Sequence, residues 1–418
     1  MTDSGGHSHH VDPDELVSVE EHRRVVLSSI TPLEPLELKL FEAHGCVLAE
    51  DVTAAADVPS FTRSAMDGYA VVAETAGRGA TLRLTGEVAA GTRDPARVRP
   101  GEAVRIMTGA PIPAGADAVV PVEVADEHDG KVQVRATPEV GDHVRPAGED
   151  VRAGATVLRS GRRLGAADIG MLASVGRGRA LVHPRPRVAV LSTGDELAEP
   201  EATLTPGQIR DTNSYTLTAM AQEAGATAFR HTIVRDDRRA LTEAFEGALS
   251  HADMLVTSGG VSAGRYDLVK QVLAQLGDVA FSKVGMQPGM PQAFGFVNRS
   301  LSHPVPCFGL PGNPVSAFVS FEVFVRPALR RLQGRTDLNR PRINAVLDEP
   351  LHSPAHKVSF LRVTLRRDED LWYARATGPQ GSGILSSAVE ADGLAEIPSD
   401  RTEVAAGETV VVHLLVSR

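Results

Sequence analysis

Cysteine is scarce in this chain of 418 residues, and a signal-peptide pattern is missing from its first residues. Cys46 and Cys307 are its only cysteines, and neither stands in a CxxC or Cys/His spacing. This scarcity argues against a disulfide framework or a zinc site and fits a reducing compartment. The first residues lack the charged-then-apolar pattern of a signal peptide. We therefore expect a cytoplasmic protein with a disordered tail over residues 1–14.

Positive charge, aromatic residues and long apolar runs are also scarce. The formal net charge is −10, and aromatic residues make up 4% of the chain. Such a chain offers neither a basic face for phosphates nor a stacking platform for bases, so nucleic acid is not an expected partner. No apolar run approaches the roughly 18 residues that span a bilayer. The apolar fraction of 42% is typical of a soluble globular protein without a membrane partner.

Hydrophobic periodicity changes several times along the chain. Residues 18–30 have a helical period, with Ser18 as N-cap and Glu21 at the capping-box position. From 51 to 149, short β-branched segments alternate with Gly, Pro and Asp, which predicts a β-rich domain. One further helix is predicted within the turn-rich residues 150–184, and residues 183–187 (HPRPR) are predicted to be a linker.

From Arg187 to about residue 335, apolar strands alternate with helical stretches. The strands are continuously apolar, which predicts a doubly wound, mostly parallel sheet with helices on both faces. The remaining residues, from 341 to 418, are strand-like and predict a small C-terminal β domain. The fold class expected is therefore a multidomain α/β plus β protein.

Three polar, glycine-rich loops follow predicted strands of the α/β domain. Ligands of open parallel sheets bind at such strand ends, where loop amides attract anions. The sequence has no GxxxxGK[ST] or GxGxxG pattern, which disfavours a P-loop NTPase and a dinucleotide dehydrogenase. We expect loops that grip a phosphorylated ligand, although glycines that merely end strands would give the same pattern. The residues are Thr193, Gly194, Asp195, Ser258, Gly259, Gly260, Ser262, Pro311, Gly312, Asn313 and Ser316.

Carboxylates also follow these strands. Asp195, Glu196, Asp236, Asp237 and Asp267 could surround a phosphate-bound Mg²⁺, which prefers oxygen ligands. The alternative for each is a helix cap or a solvated acid. Asp237 in particular stands just before a predicted helix.

The β-rich domain carries three further candidate loops, at residues 60–71, 105–117 and 143–151. They contain Asp67 in Met-Asp-Gly-Tyr and, at the domain's exit, Arg145, Glu149 and Asp150. Local turn chemistry accounts for their glycines but not for charged residues at both ends of one domain. We predict site loops here, with ordinary surface loops as the alternative.

Seven ordered motifs carry a resemblance to a known family. SAMDGYA, MTGAPIP, RPAGED, STGDEL, IRDTN, SGGVS and LPGNPVS occur in this order. The chain resembles molybdopterin molybdenumtransferases, the MoeA family that includes the E domain of gephyrin, from about residue 18 to its C-terminus. SGGVS alone would be weak, because the related molybdopterin adenylyltransferases share it.

The resemblance implies four domains in an elongated subunit. They are a discontinuous N-terminal domain (15–50 and 150–185), an inserted β-rich domain (51–149), an α/β molybdopterin-binding domain (186–335) and a C-terminal β domain (336–418). It further implies a homodimer whose active site combines the α/β domain of one subunit with the inserted domain of the other. The family's reaction converts adenylylated molybdopterin and molybdate, with Mg²⁺, into molybdenum cofactor and AMP. Transient contact with other proteins of this biosynthesis is also implied.

The resemblance also assigns roles to residues. Metal binding and hydrolysis fall to five acids, of which Glu196, Asp237 and Asp267 would be the metal ligands. The pterin phosphate would be held by Gly259, Gly260 and Ser262. Two further groups of residues would contact the other substrate phosphates and the molybdate oxyanion. These acids are Asp67, Asp150, Glu196, Asp237 and Asp267; the phosphate contacts are Thr108, Arg145 and Lys283; the oxyanion contacts are Ser316, Arg362 and Ser382.

One departure from the family pattern concerns molybdate. Many members carry a KPGKP segment with two lysines, whereas this chain has Gln287 and Met290 at those positions. We therefore predict a weaker or rearranged molybdate site. Two alternatives to a molybdenum insertase stay open: an adenylyltransferase acting one step earlier, and a binding or scaffold protein that kept the fold but lost activity.

Overall fold

The computed structural model describes residues 16–95, 97–260, 268–297 and 304–415. The chain separates into two compact units. The larger unit comprises Met1–Leu36, Gly45–Val47 and Val182–Arg418, and the smaller unit comprises Glu37–His44 and Leu48–Leu181. The finer division into four domains stays a prediction. None of the helices formed by the described residues is long and apolar enough to cross a membrane.

The helices follow the predicted periodicity. The helix over residues 18–30 is confirmed, since Ser18 caps it by accepting a hydrogen bond from the Glu21 N–H at 3.1 Å. In chain order the helices are α1 Val19–Ser29, α2 Leu40–Ala43, α3 Ala166–Ser174, α4 Asn213–Glu223, α5 Arg238–Leu249, α6 Leu268–Leu276, α7 Pro314–Ser320, α8 Arg326–Leu332 and α9 Ser386–Val389, with a π-helical turn at Phe321–Val325 and 3₁₀ turns at Ala73–Thr75 and Val122–Val124.

Strands β1 to β13 supply the sheets of the first half of the chain. A six-stranded sheet of order β8-β5-β7-β6-β10-β9 forms the core of the smaller unit, as the short β-branched segments predict. The strands that flank this sheet in sequence form the antiparallel pairs β11-β4 and β12-β3. The strands are β1 Leu36–Lys39, β2 Val47–Leu48, β3 Val52–Thr53, β4 Arg63–Ser64, β5 Gly68–Val71, β6 Thr81–Val88, β7 Glu102–Ile106, β8 Ala118–Pro121, β9 Ala125–His128, β10 Lys131–Val134, β11 Val144–Arg145, β12 Thr156–Leu158 and β13 Arg179–His183.

Strands β14 to β29 belong to the larger unit. Its first sheet has the order β17-β14-β18-β22-β21-β19. The strands are β14 Arg187–Ser192, β15 Leu197–Ala198, β16 Ile209–Arg210, β17 Thr227–Arg230, β18 Met254–Ser258, β19 Gly277–Lys283, β20 Met286–Gln287, β21 Pro291–Val297, β22 Val305–Leu310, β23 Arg342–Leu347, β24 Leu351–His352, β25 Val358–Asp368, β26 Leu371–Ala376, β27 Gly393–Ile397, β28 Glu403–Val404 and β29 Thr409–Leu414.

The doubly wound architecture is confirmed by which residues pack on each face of this sheet. Strands β17, β14, β18 and β22 are parallel neighbours. Val188 and Val190 of β14 pack with α1, α4, α7 and α8, whereas Ala189 and Leu191 pack with α5 and α6. Successive side chains of a strand point to opposite faces, so both faces are covered by helices. Strands β21 and β19 extend the sheet antiparallel.

The C-terminal β domain is a closed sheet. Strands β25, β26, β23, β29 and β27 pair in sequence around the ring, and β27 pairs back with β25. Its interior is filled by side chains such as Leu347, Val363 and Val412. Strand β20 joins this sheet from the α/β region, because Gln287 pairs in register with Ser359 of β25. Of the oxyanion contacts implied by the resemblance, Arg362 lies on β25 of this sheet.

Candidate active site

The three glycine-rich loops converge at the carboxyl edge of the parallel sheet. Ser192 pairs with Ser258, and Ser258 with Leu310, so the three strands end at the same level. The Gly259 N–H donates to the Leu310 carbonyl at 3.1 Å, and a Cβ on Gly312 would lie 3.8 Å from the Gly259 Cα. Gly259 has a φ of 90°, which favours glycine. The loops predicted from their strand-end positions therefore form one surface.

An open cleft of about 990 Å³ lies over these loops. Most of the predicted loop residues line it, but Asp195, Asp237 and Ser316 do not, and Ser262 and Asp267 lie outside the described residues. The lining residues that the sequence analysis did not assign to the site include Asp211, Asn213 and Pro291. The predicted residues that line the cleft are Thr193, Gly194, Glu196, Ser258, Gly259, Gly260, Pro311, Gly312 and Asn313.

Two buried polar residues at the start of α4 support the cleft floor. Asp211 accepts hydrogen bonds from the Ser192 hydroxyl and the Ser214 N–H, each at 3.1 Å. Asn213 donates to the Ser258 hydroxyl oxygen at 2.6 Å and to the Gly312 carbonyl at 2.7 Å. Both residues lie in the IRDTN motif, so the motif was visible in the sequence while the role of these two side chains was not.

Carboxylates gather at one side of the cleft. The Asp236 N–H donates to the Asp195 carboxylate at 3.3 Å. Burial raises the pKa of Asp236, and the negative charges of Asp195 and Glu196 raise it further. Gly194 leaves room for this cluster, because a Cβ there would lie 2.5 Å from the Glu196 carboxylate. The arrangement concentrates negative charge at the cleft wall, which a cation would relieve.

Asp236 rather than its neighbour lines the cleft. Asp237 is the N-cap of α5 and accepts a hydrogen bond from the Ala240 N–H at 2.9 Å, which is the capping alternative considered for it. Among the described residues, no group of three His, Cys, Asp or Glu side chains could hold a metal ion. Mg²⁺ binds through one or two carboxylates together with waters and substrate phosphates. Glu196 and Asp236 therefore suit Mg²⁺ that arrives with a phosphorylated substrate.

Arg362 is a fully buried cation of the C-terminal domain. Its Nε donates to the Ser387 hydroxyl at 3.0 Å and its Nη2 to the Gly381 carbonyl at 3.2 Å. Its Nη1 is buried and has no partner among the described residues. Burial lowers the pKa of Arg362 to about 10, so the side chain stays charged at neutral pH. A buried guanidinium with a free N–H, and with no carboxylate paired to it in the described part of the chain, suits an oxyanion.

The segment next to Arg362 reaches the third glycine-rich loop. The Asn313 amide donates to the Ser382 hydroxyl at 3.1 Å, and the Val315 N–H donates to the Ser382 carbonyl at 3.0 Å. Ser316 follows in the first turn of α7 and is buried. Gly383, on the same segment as Ser382, lines the cleft. The structure thus connects Ser382 and Ser316 to the cleft, although neither side chain is among its lining residues.

The segment that replaces the two lysines forms a turn at the edge of the cleft. Buried Gln292 donates to the Gly289 carbonyl at 2.5 Å and to the Ser320 hydroxyl at 2.6 Å, which holds the turn against α7. Gln287 and Met290 are half-buried. Lys283 pairs in register with Pro291, which lines the cleft.

The three candidate loops of the smaller unit also meet one another. The Ser64 N–H donates to the Ala110 carbonyl at 2.9 Å, and the Ala65 N–H donates to the His143 carbonyl at 2.8 Å. Asp67 accepts hydrogen bonds from the Thr108 N–H at 2.7 Å and the Thr108 hydroxyl at 2.9 Å. These bonds lower the pKa of Asp67, which therefore presents a stable negative charge.

The charged residues at the exit of the inserted domain are exposed. Arg145 and Glu149 form an ion pair at 3.9 Å with both side chains about half exposed. The Asp150 side chain is exposed, while its N–H donates to the Val58 carbonyl at 3.1 Å. An exposed ion pair of this kind adds little stability, so both charges remain accessible to a ligand or a second surface.

Comparisons with known proteins decide the family. Residues 17–176 match the MoeA N-terminal region (domain I and II), residues 189–331 a probable molybdopterin binding domain, and residues 344–415 the MoeA C-terminal region (domain IV). Molybdopterin molybdenumtransferase 2 of Mycobacterium tuberculosis H37Rv is 44% identical over 407 residues, covering 94% of this chain and 98% of the relative. The chain belongs to the molybdopterin molybdenumtransferase family.

Other family members agree over nearly the full length. The molybdopterin molybdenumtransferase of Nostoc is 35% identical, covering 94% of this chain and 93% of the relative. A solved MoeA molybdopterin biosynthesis protein from Pyrococcus horikoshii superposes with a TM-score of 0.80 at 33% identity, covering 97% of this chain and 100% of that structure. The family predicted from seven motifs and the fold class predicted from the hydrophobic periodicity are confirmed, as is the prediction of a transferase in molybdenum cofactor biosynthesis.

Proposed function

We propose that this molybdenumtransferase family member inserts molybdate into adenylylated molybdopterin and releases AMP in a Mg²⁺-dependent reaction. The observation that carries the proposal is the cleft itself. It combines glycine-rich loops at the sheet edge with the carboxylates of Glu196 and Asp236. Through Asn313, the cleft is connected to Ser382 and so to the segment that contacts Arg362. Arg362 is buried and has no carboxylate partner among the described residues.

Each part of the cleft suits one part of this substrate pair. The glycine loop at Gly259 and Gly260, whose positive φ angles favour glycine, would hold the pterin phosphate, because backbone N–H groups of such loops attract anions; the Gly259 N–H itself is bonded to the Leu310 carbonyl. Glu196 and Asp236 would hold Mg²⁺ against the phosphoanhydride, with Asp237 and Asp267 added by family resemblance. When bound, Mg²⁺ would offset the charge that develops on the phosphate oxygens. Asp67 and Asp150 are proposed to assist the hydrolysis, by resemblance alone.

Molybdate requires a different environment. It is a tetrahedral dianion, and the buried Nη1 of Arg362 is a free charged donor. Ser316 and Ser382 add hydroxyl groups near the N-terminal end of α7. Lys283, Thr108 and Arg145 are proposed to hold the substrate's phosphates. Gln287 can donate through its neutral amide and Met290 cannot donate at all, so Arg362 supplies the main positive charge for the oxyanion.

We also propose a homodimer with a composite active site in the cytoplasm. Asp67, Thr108 and the Arg145–Glu149 pair are exposed on the smaller unit, which suits contact with substrate held in the cleft of a second copy. Such an arrangement explains why candidate residues lie in two separate compact units. Transient contacts with other proteins of molybdenum cofactor biosynthesis would deliver substrate and accept product.

A single assay tests the proposed reaction. Purified protein is incubated with adenylylated molybdopterin, Mg²⁺ and molybdate, and both AMP and active cofactor are followed. We expect both products together, and neither after Mg²⁺ is chelated. An adenylyltransferase would instead attach AMP to molybdopterin in the presence of ATP. A scaffold protein would bind the adenylylated pterin and leave it intact.

A further inference from the structure

The buried amide of Asn213 lies between two of the glycine-rich loops. Asn213 is the first residue of α4 and is 8% exposed. Its Nδ2 donates to the Ser258 hydroxyl oxygen at 2.6 Å and to the Gly312 carbonyl at 2.7 Å. One nitrogen thus joins the end of β18 to the loop after β22. Both of these loops line the cleft.

The orientation of this amide is fixed by its partners. A carbonyl oxygen accepts hydrogen bonds and cannot donate one, so only the NH₂ group of Asn213 can face Gly312. The same NH₂ group faces Ser258, whose hydroxyl oxygen therefore serves as an acceptor. The hydroxyl hydrogen of Ser258 must then point elsewhere, and this hydroxyl donates no hydrogen bond to another described residue.

A second hydroxyl at the same sheet edge is in a similar position. The Thr193 Oγ1 is buried and has no hydrogen-bond partner among the described residues. It lies at the end of β14, and a Cβ on Gly259 would lie 3.4 Å from it. Two buried hydroxyl groups with undirected hydrogens beside this glycine loop need an external acceptor. A phosphate oxygen is an acceptor of the right kind.

We propose that Asn213 is a positioning residue for binding of the pterin phosphate. It fixes the spacing of the Gly259 and Gly312 loops and turns the Ser258 hydroxyl hydrogen, beside that of Thr193, toward the phosphate. This inference rests on the proposed function for the identity of the ligand. Asn213 itself contributes no donor to the substrate, because both of its N–H groups are occupied by the protein.

The experiment compares Asn213→Ala with a matched control, Gln333→Ala. Gln333 is equally buried, and its amide donates to the Ala224 carbonyl at 2.9 Å in a part of the larger unit that does not line the cleft. Both variants lose a buried amide hydrogen bond, so both should melt at a lower temperature. Only Asn213→Ala should raise KM for adenylylated molybdopterin, by about tenfold, while kcat at saturation changes much less.

Two further measurements separate this inference from the proposed reaction. Direct titration of molybdopterin by calorimetry needs no turnover, and we expect Asn213→Ala to bind about tenfold more weakly than wild type, equivalent to about 1.4 kcal/mol. Asn213→Asp should bind more weakly still, since its carboxylate cannot donate and repels a phosphate. Equal affinities in wild type and Asn213→Ala, or an equal loss in Gln333→Ala, would overturn the positioning role. Tight molybdopterin binding by wild type without AMP release would instead refute the proposed reaction and leave the binding comparison intact.

Discussion

The two compact units present their candidate residues in opposite ways. In the larger unit, Asp211 and Asn213 are buried and hold the loops of the cleft through side-chain hydrogen bonds. In the smaller unit, Asp67, Arg145 and Asp150 are exposed, and the Asp67 carboxylate accepts hydrogen bonds from Thr108. A buried network fixes geometry before substrate arrives, whereas an exposed residue gains its environment only when a second surface covers it.

This difference predicts different consequences of mutation. Removing a carboxylate of the cleft would take a ligand from the proposed metal within one subunit. Removing Asp67 deletes a group that the proposed dimer lends to the neighbouring cleft. Both changes should stop the reaction in a pure variant, but because they lie in different halves of the composite site, a mixture of the two variants should recover activity.

The largest effect is expected for the cleft carboxylates. Glu196→Ala and Asp236→Asn should each reduce AMP release at least about 100-fold, because the pair is proposed to bind the metal that stabilises the phosphate charge. Asp267→Ala is expected to behave in the same way by resemblance. Turnover is measured beside thermal melting, which should hardly change because these side chains contribute little to the core.

Glu243→Ala is the control for this series. Glu243 is an exposed acid of α5 that pairs with Arg239 at 2.7 Å, and its loss should leave turnover intact. Wild-type turnover in Glu196→Ala would remove Glu196 from the site. Asp237→Asn keeps an N-cap oxygen but removes the negative charge, so wild-type turnover and melting in this variant would indicate that Asp237 serves as the cap of α5 and not as a metal ligand.

The second prediction tests the dimer. Asp67→Asn and Glu196→Ala subunits, each inactive alone, are mixed and allowed to exchange. Random pairing makes about half of the dimers heterodimers. In each heterodimer one site carries both substitutions and the other carries neither, so about a quarter of wild-type activity should return. The rate of AMP release and the mass of the species in solution are measured together.

A matched pair makes this result specific. Glu196→Ala mixed with Asp236→Asn should give no rescue, because both residues belong to the same cleft and every heterodimer site carries one defect. Rescue in both mixtures, or in neither despite demonstrated exchange, contradicts a composite site. A monomeric mass contradicts the dimer itself.

The cleft could be located from the sequence because strand ends carry a local signature. Thr193, Gly259 and Gly312 follow continuously apolar strands, and parallel strands bring their carboxyl ends to one edge. The position of the three loops at one edge of the sheet could therefore be predicted without knowing any tertiary contact. The choice between Asp236 and Asp237 was different, since adjacent acids before a helix look alike until the backbone decides which one caps it.

Asn213 and strands β19 and β21 could not be predicted in the same way. A polar residue in front of a helix is typical of a simple cap, and the contacts of Asn213 with Ser258 and Gly312 are far apart in the chain. Gly277 and Gly295 lie within the paired strands, where glycine weakens the strand signal. In the structure each of them leaves space for the backbone of the opposite strand.

The third prediction concerns acid stability of the larger unit. His22 of α1 is buried with its ring against Phe324 at 4.8 Å. Burial lowers the pKa of His22 from 6.5 to about 4, so the folded chain binds its proton less readily than the unfolded chain. The stability from this group is present above pH 6.5 and is lost as the pH falls toward 4, by about 3 kcal/mol in total.

His22→Leu should therefore lose less free energy of unfolding than wild type between pH 7 and pH 4. Urea unfolding at several pH values measures the difference. His128→Leu, at an exposed position of the smaller unit, is the control and should follow wild type. Parallel pH curves for wild type and His22→Leu would show that His22 is not the group responsible.

The smallest expected effect concerns the turn that lacks its lysines. Two ammonium groups near a partly buried dianion contribute about 1 to 3 kcal/mol, or about ten- to a hundredfold in affinity. The half-saturating molybdate concentration of wild type should therefore be high. Gln287→Lys with Met290→Lys should lower it and make it more sensitive to salt, because the added attraction is electrostatic.

Position decides whether this effect is specific. Gln271→Lys with Gln275→Lys adds the same charge to exposed positions of α6, so it should leave half-saturation nearly unchanged. Gln287 stays paired with β25 and the turn is held by Gln292, so the new lysines would stand on a backbone that is already fixed. Equal half-saturation in wild type and the Gln287/Met290 variant would mean that this turn only shapes the cleft edge. Arg362→Met would then test whether Arg362 binds the oxyanion. Removing the buried guanidinium should weaken molybdate binding both in the wild type and in the Gln287/Met290 variant.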